Sequence, residues 1–375
     1  MPSSADSAHL RRALRLAERG RYHVSPNPRV GAVVGDAAGE VVGEGWHARV
    51  GGPHAEPVAL AAAGSRARGG TLYVTLEPCA HHGRTPPCVD AVLAAGIARV
   101  VACHRDPDPR TGGAGFARLR AAGVVVEVGL LAAEAVEANA AFLISQTLGR
   151  PLVTLKWAMS LDGKIATAAG ESQWISGSAG RRWALELRET HDAILVGSGT
   201  ALADDPRLDR RLGRAGTPLL RAVADRRLRL PPTARMLGLA GETVVYTRAD
   251  SGTPASRNAL SAAGARLVDL PTGAPVEILA DLHARGLRSV LVEGGGEIHG
   301  AFVTAGLFDR VMVDTAPVLL GGAGAFTPVG GAGTGPLATA PRLDRLRFSR
   351  RGDDAILWGW RRDCLPDLLR SVGAS

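Results

Sequence analysis

The chain is poor in cysteine: four in 375 residues, too few to frame a disulfide scaffold. Aromatic residues are also scarce, at 4%, so any core must be filled by Val, Leu, Ile and Ala. No apolar run approaches the ~20 residues of a membrane span. The first 19 residues place Arg11, Arg12 and Arg15 inside a helical apolar period (Leu10, Leu14, Ala17), not the continuous apolar stretch of a signal peptide. A soluble, reduced, cytoplasmic protein is therefore expected. Charge of one sign is not concentrated either. The 44 basic and 36 acidic side chains leave a net +8, but the excess is mostly arginine scattered along the chain, which is weak evidence for a nucleic-acid partner. There is no internal repeat and no G-x-G-x-x-G, which disfavours a Rossmann dinucleotide fold.

What is present suits two globular domains. Hydrophobic residues make up 46% and charged residues 21%, and the length fits two domains at roughly 100–200 residues each. The first segment alternates strand-like and helical patterns: a helix near 8–19, strands "RVGAVVG" and "EVVGEGW", helix "AEPVALAAAG", strand "TLYVTL", helix "PCVDAVLAAG", strands "ARVVAC" and "VVVEVG", then a helix-like "LAAEAVEANAAFLI". Such alternation predicts a sheet covered by helices on both faces. "QTLGRP" at 146–151 reads as a linker, dividing the chain into 1–147 and 151–375. Beyond it the strands "LVTLKWAMS", "AILVG", "LLRAVAD", "TVVYT", "ARLVDL", "SVLVEGG", "RVMVDTAPVLLG" and "AILWGW" follow, several of them separated by helices.

One constellation in the first segment carries chemistry. His54 and Glu56 lie two apart at the start of a predicted helix, and "EPCAHHGRTPPC" (77–88) places Cys79 and Cys88 around the start of the next. Zinc takes imidazole nitrogen and thiolate sulfur, and a catalytic site uses three protein ligands with one position left for water. His54, Cys79 and Cys88 supply such a set, and Glu56 is placed to move protons without being a ligand. H-x-E followed by P-C-x-x-C is the zinc-deaminase signature; here eight residues, not two, separate the cysteines. Cys103, within an apolar strand, reads as core, and Cys364 is given no role.

These residues resemble the bifunctional deaminase–reductase family of riboflavin biosynthesis, whose deaminase half shares "HAE…LEPCAHHGRTPPC" with its long cysteine gap, "SPNPRVGAVV" and "GEGWH". The resemblance implies a cytidine-deaminase-like three-layer α/β/α domain in which Asn27, His47 and Arg84 contact substrate, with Asp106 nearby. An amide and an imidazole suit a pyrimidine edge, and an arginine suits a phosphate.

The second segment is less explicit on its own. "TLKWAMSLDGKIAT" fits a hairpin, and the glycines of "VEGGGEIHGAF" fit either a phosphate cradle or a plain turn. Together with "ESQWIS" and "VGSGTALADDPRL" they resemble the family's reductase half, which is similar to dihydrofolate reductase in fold and uses NADPH. That resemblance implies cofactor contacts at Ala158, Trp174, Thr200, Asp204 and Gly294, Gly295 and Gly296. It implies substrate contacts at Ser172, Arg188, Leu208, Arg211 and Glu293, with Lys156 and Asp204 assisting hydride transfer. One departure stands out: after Asp225 the family would carry a hydroxyl residue, and this chain has Arg226, which either pairs with the 2′-phosphate of NADPH or points to solvent. The expectation is an α/β enzyme carrying Zn2+ and NADPH, acting on a phosphorylated pyrimidine, binding neither nucleic acid nor membrane, and assembling as a homo-oligomer. The competing reading is a tRNA-acting zinc deaminase with a non-catalytic C-terminal domain.

Overall fold

The computed structural model describes residues 3–83 and 85–373. The chain forms two compact units, residues 1–149 with 365–375, and residues 150–364. The second unit thus stops at Cys364, short of the expected 375. The reason is local: the last helix is amphipathic, and its buried Leu365, Leu368 and Val372 group with the first unit.

The first unit runs α1 (Ser4–Ala17), β1 (Gly31–Gly35), β2 (Val41–Trp46), α2 (Ala55–Ala63), β3 (Thr71–Val74), α3 (Cys88–Ala94), β4 (Arg99–Ala102), α4 (Ala114–Ala121), β5 (Val125–Val128), α5 (Ala132–Ala138) and α6 (Ala140–Leu148). The sheet order is β2-β1-β3-β4-β5, with β1 antiparallel to both neighbours and β3, β4 and β5 parallel. Strand alternation sends Ala32, Val34, Leu72, Val74 and Val100 toward α2, α3 and α4. It sends Val33, Tyr73 and Val101 toward α1 and α5. This is the expected three-layer arrangement, with Cys103 buried in the α1-side core. Two sequence readings change. The helix expected over 131–144 breaks at Asn139, whose side chain bonds the main chain of Arg29 instead of continuing the helix. The second piece then runs to Leu148, so half of the expected linker is helical.

α2 lies unusually close to β2. A Cβ on Gly43 or Gly45 would fall 2.2 or 2.3 Å from the carbonyl oxygens of Ala59 and Ala55, so only glycine lets the helix lie flush on the strand. That contact fixes the N-terminus of α2, where His54 and Glu56 sit.

α1 is anchored through Asp6. Its carboxylate accepts from both Arg99 terminal nitrogens (2.8 and 3.0 Å), from the Tyr73 hydroxyl (3.0 Å) and from the Ser3 amide (2.6 Å). Arg99 above all holds this carboxyl well below the usual carboxylate range. A depressed folded-state pKa gives stability that is complete above the unfolded value of about 3.9 and fades as pH falls toward the folded one. Asp6→Asn is expected to cost about 2–3 kcal/mol at neutral pH, from the loss of charge-assisted bonds to a buried group. Urea midpoints should show the gap from wild type narrowing below about pH 4; a gap independent of pH would refute the assignment.

The second unit runs β6 (Leu152–Ser160), α7 (Ser178–Glu189), β7 (Ala193–Gly197), α8 (Ser198–Asp204), β8 (Leu220–Ala224), β9 (Thr243–Thr247), α9 (Pro254–Ala262), β10 (Ala265–Asp269), α10 (Pro275–Ala284), β11 (Ser289–Val292), α11 (Gly296–Thr304), β12 (Arg310–Ala316), β13 (Leu343–Arg351) and β14 (Asp354–Arg361); α12 (Cys364–Ser371) follows. The sheet order is β10-β9-β8-β7-β11-β6-β12-β14-β13. The first seven strands are mutually parallel, and the last two join antiparallel. Leu155, Leu195, Val244 and Val292 pack against α10 and α11. Ile194, Val223 and Val245 face α8 and α9. The parallel strands therefore read as continuous apolar runs. β13 was not foreseen: "LDRLRFSRR" is an exposed edge strand whose charges hide the alternation. Among the described residues no helix is long and apolar enough to cross a membrane.

Candidate active sites

In the first unit the structure brings the expected metal-ligating groups together. His54 is the N-cap of α2 but makes no capping bond with its side chain, which leaves the ring for the sulfurs. Nδ1 lies 3.2 Å from Cys88 Sγ and 3.6 Å from Cys79 Sγ, and all three ligand atoms fall within 4.8 Å of one another. Zinc bonded at ~2.05 Å to nitrogen and ~2.3 Å to sulfur with tetrahedral angles requires N···S separations of about 3.6 Å. The donor set therefore fits zinc in both chemistry and spacing. Cys88 opens α3 as expected, whereas Cys79 lies in the irregular segment before it. That segment is shaped by Glu77, a buried carboxylate accepting from the amides of Asp106, Gly113 and Phe116.

The electrostatics suit a cation. Hydrogen bonds from the Cys88 thiol, and then from His54, lower Cys79 to about 4 against an opposing burial penalty, making it the thiolate of the pair. Cys88, which holds the remaining proton, is pushed up. Glu56, 3% exposed in the first turn of α2, is raised to about 7, chiefly by burial. The tip of this group is completed by His47 and Asn27. The His47 ring packs edge-on to His54 at 5.5 Å. His47 Nδ1 donates to the Pro53 carbonyl (2.9 Å), so its Nε2 accepts from the Asn27 amide (3.1 Å). Burial lowers the His47 pKa and keeps the ring neutral. Asp106, buried and raised to about 7 mainly by desolvation, sits next to the Glu77 carboxylate that bonds its amide. Arg84 lies outside the described residues.

In the second unit most of the expected residues gather at the carboxyl ends of the parallel strands. The register Val292↔Leu155 sets Glu293 beside Lys156. Glu293 is paired with Arg188 through two bonds of 3.2 and 2.8 Å. Burial opposes its ionisation, but the charges of Arg188 and Lys156 outweigh burial and hold its pKa at about 2. Arg188 is thus engaged by the Glu293 carboxylate. Asp204, at the end of α8, accepts from Ser172 Oγ (3.4 Å) and Gln173 Nε2 (3.3 Å). Trp174 is 71% exposed, with the Arg181 guanidinium 4.8 Å over its ring. Ala158, near the end of β6, pairs with Asp314 of β12.

The two sides of the glycine-rich turn differ. A Cβ on Gly296 would meet the Thr327 carbonyl oxygen at 2.5 Å, while one on Gly295 would meet only Thr200 Oγ1, at 3.5 Å. The turn thus opens toward Thr200, and α11 starts there with its amides available to an anion. These residues fit an extended, phosphate-bearing cofactor. Leu208 has its side chain in the core, 2% exposed, and a left-handed backbone at φ 51°. Arg211, exposed, pairs with Asp209 at 2.8 Å.

Two positioning groups escaped the sequence reading. Glu189, 1% exposed, accepts from the amides of Leu212, Arg214 and Ala215 and so pins the arginine-rich loop after α8. His299, fully buried in α11, places its ring nitrogens 2.9 and 3.1 Å from the carbonyls of Pro328 and Val292, tying the glycine turn to its strand. "GEIHG" was read only for its glycines.

Both segments of the chain match known domain families. Residues 3–104 match the cytidine and deoxycytidylate deaminase zinc-binding region, and residues 151–357 match the RibD C-terminal domain. The riboflavin biosynthesis protein RibD of Bacillus amyloliquefaciens is 42% identical over 352 residues, covering 93% of this chain and 94% of its own. That of Escherichia coli is 43% identical over 331 residues, covering 84% and 89%.

The chain belongs to the RibD family.

Solved RibD structures agree. That of Acinetobacter baumannii superposes with a TM-score of 0.86 at 36% identity, over 95% of this chain and 99% of that one. A Thermotoga maritima structure described as a diaminohydroxyphosphoribosylaminopyrimidine deaminase/5-amino-6-(5-phosphoribosylamino)uracil reductase gives 0.82 at 32%, with the same coverage. As a RibD protein the chain is a bifunctional riboflavin-biosynthesis enzyme, a zinc-dependent deaminase and an NADPH-dependent reductase. The tRNA-deaminase alternative is not favoured.

Proposed function

We propose that residues 1–147 deaminate 2,5-diamino-6-ribosylamino-4(3H)-pyrimidinone 5′-phosphate and that residues 151–375 then reduce its ribosyl group to a ribityl chain. The observation that carries the first step is the convergence of His54, Cys79, Cys88, Glu56, His47 and Asn27 in one cluster. Zinc held by His54, Cys79 and Cys88 supplies a Lewis acid able to acidify water. Glu56, with a pKa near 7, takes a proton on its carboxylate and returns it to the departing amine, so that ammonia leaves neutral. Asn27 and the neutral His47 orient the pyrimidine through its polar edge.

In the second site Ala158, Thr200 and the Gly294–Gly296 turn would hold NADPH, which would supply the hydride for C1′ of the ring-opened imine. Hydride addition to C1′ leaves the electron pair of the C=N bond on nitrogen, and Lys156, in β6 beside Glu293, offers the N–H that stabilises and protonates it. Asp204 fixes Ser172 and the segment bearing Trp174. The Arg188–Glu293 pair orders this wall, and Arg211 on its pinned loop offers charge to the 5′-phosphate. The protein is further proposed to work in the cytoplasm, as a homo-oligomer, without a nucleic-acid partner.

Incubation with the diamino substrate tests both halves. Ammonia should appear without NADPH, and absorbance of reduced cofactor should fall only once deamination has occurred. Consumption of NADPH before any ammonia is released would reverse the proposed order.

A further inference from the structure

The face of the second unit's sheet that packs on α7 carries a buried pair of carboxyls outside both sites described above. Leu291, Met312 and Ile356 meet Trp183 and Leu187 of α7 on that face. Alternation along each strand puts Glu293, Asp314 and Asp354, each two residues from one of these, on the same side. Lys156 joins them as the register partner of Met312. We infer that Asp314 and Asp354 hold one proton between them, and that Asp314, kept neutral in this way, leaves the Lys156 ammonium free to serve the substrate. Asp314 is then a positioning residue acting through Lys156. The inference rests on the role given to Lys156 above and deepens it.

Closeness forces the sharing. A Cβ on Gly180, in the first turn of α7, would fall 2.3 Å from Asp314 Oδ2 and 2.3 Å from Asp354 Oδ2. The two oxygens therefore face each other across a gap of no more than twice that distance, and only glycine lets the helix close over them. Both residues are 1% exposed. Two carboxyls that share a dry site cannot both ionise without a large cost. Partners decide which of them keeps the proton. Asp354 Oδ2 accepts from the amide of Gly177, the N-cap of α7 (2.8 Å), where the helix favours negative charge. Asp314 Oδ1 is buried without a partner among the described residues. Buried Asp6, Glu77, Glu189 and Asp309, in contrast, each accept from two or more donors. A buried acid that lacks donors keeps its proton. Burial above all pushes the Asp314 carboxyl up. Asp354 adds to that push, and the Ser176 hydroxyl and the Lys156 charge pull the other way. Arg181 of α7 is engaged elsewhere, on the Ser176 carbonyl and the Trp174 ring.

Lys156 thus stands between two carboxyls in opposite states. Glu293 is beside it at the end of β11, ionised and paired with Arg188, while Asp314 is diagonal to it on β12. At about 4.8 Å between strands and ~6.6 Å between alternate residues, the Cα atoms of Lys156 and Asp314 lie roughly 8 Å apart, a span that a lysine side chain crosses. A neutral Asp314 makes no claim on the ammonium. An ionised one would draw it toward β12 and hold it in a buried ion pair, away from the substrate. Neighbouring titratable groups pushed to opposite states are how sites separate such roles.

The test is the pH dependence of the reductive step, followed by stopped flow with the full-length protein, the deaminated intermediate and saturating NADPH. Asp314 is neutral below its raised pKa and ionised above it. Wild type should therefore slow as pH rises between about pH 6 and about pH 9, the range of raised carboxyls. Asp314→Asn cannot ionise. It should escape that loss and outpace wild type by about tenfold at the alkaline end, the two rates converging at the acidic end. Asp354→Asn keeps an acceptor for the Gly177 amide but removes the neighbouring charge, so the loss should move to lower pH. The double variant should behave as Asp314→Asn does. A purely structural role for either carboxyl would shift none of these profiles. An alkaline loss in Asp314→Asn equal to that of wild type overturns the inference, as does a normally folded Asp314→Asn that is slow at every pH. Should that variant melt early, Asp354→Asn carries the test, and a loss that stays in place or moves to higher pH overturns the inference. Lys156→Ala separates the two readings. If it reduces as fast as wild type, the role of Lys156 falls and this inference with it; if it is slow while Asp314→Asn keeps the wild-type alkaline loss, this inference alone falls.

Discussion

Glu56→Gln is expected to lower the rate of deamination by ~10²–10⁴, the usual contribution of a positioned acid–base group, with zinc content unchanged. The amide keeps the size of a side chain that hydrogen-bonds Cys88 but is not itself one of the three ligands, so His54 Nδ1 and the two sulfurs should retain their mutual spacing. What is lost is a carboxyl group poised near neutrality. Burial lifts Glu56 to about 7, so near pH 7 it can both take and return a proton; glutamine can do neither. Cys88→Ser gives the contrasting outcome. A hydroxyl is a poor zinc ligand beside thiolate, so that variant should lose both metal and activity. Elemental analysis of the two proteins checks the distinction: zinc absent from Glu56→Gln, or retained in full by Cys88→Ser, would refute these roles.

Lys156→Ala is expected to lower the reductive step by ~10²–10³, the range typical of losing one preorganised electrostatic donor, while ammonia release continues at the wild-type rate. The reason lies in the neighbourhood of Glu293. Its carboxylate is balanced by Arg188 and by Lys156 together. Removing the lysine takes away the proposed donor to the substrate and leaves the carboxylate balanced by Arg188. Lys156→Arg, which keeps the charge on a bulkier head, should recover part of the loss. Stopped-flow decay of reduced cofactor with the deaminated intermediate as substrate measures both. Equal losses in the arginine and alanine variants would mean that Lys156 contributes packing and not charge.

The first site was legible because zinc chemistry restricts residue types so tightly. A histidine, a glutamate two residues on, and cysteines at a later helix start narrow the choice to few metals and few reactions. The strands and helices around it were legible for a similar reason, since apolar periodicity of 2 or 3.6 leaves few alternatives. The second site was read mainly from resemblance. Its residues come from the ends of β6, β7, β8, β9 and β11, and nothing local in "LKWAM" or "VEGGGE" says that Lys156 and Glu293 stand side by side; strand register decides that. Partnership was equally hidden. Arg188 and Arg226 look alike in the sequence, yet one is bound to a buried carboxylate and the other has no ion pair among the described residues. Leu208 shows the reverse limit: the family position carried over, but its side chain is core, and only the φ of 51° marks the backbone as unusual. β13 was missed because an exposed edge strand can be charged on both faces.

The central claim is that two independent sites perform two reactions in order. The most direct measurement supplies the already deaminated intermediate and NADPH to folded, zinc-loaded Glu56→Gln protein and follows cofactor absorbance at saturating concentrations. Oxidation at the wild-type rate is the predicted result. Failure to oxidise NADPH would show that the two chemistries share a site and would contradict the account.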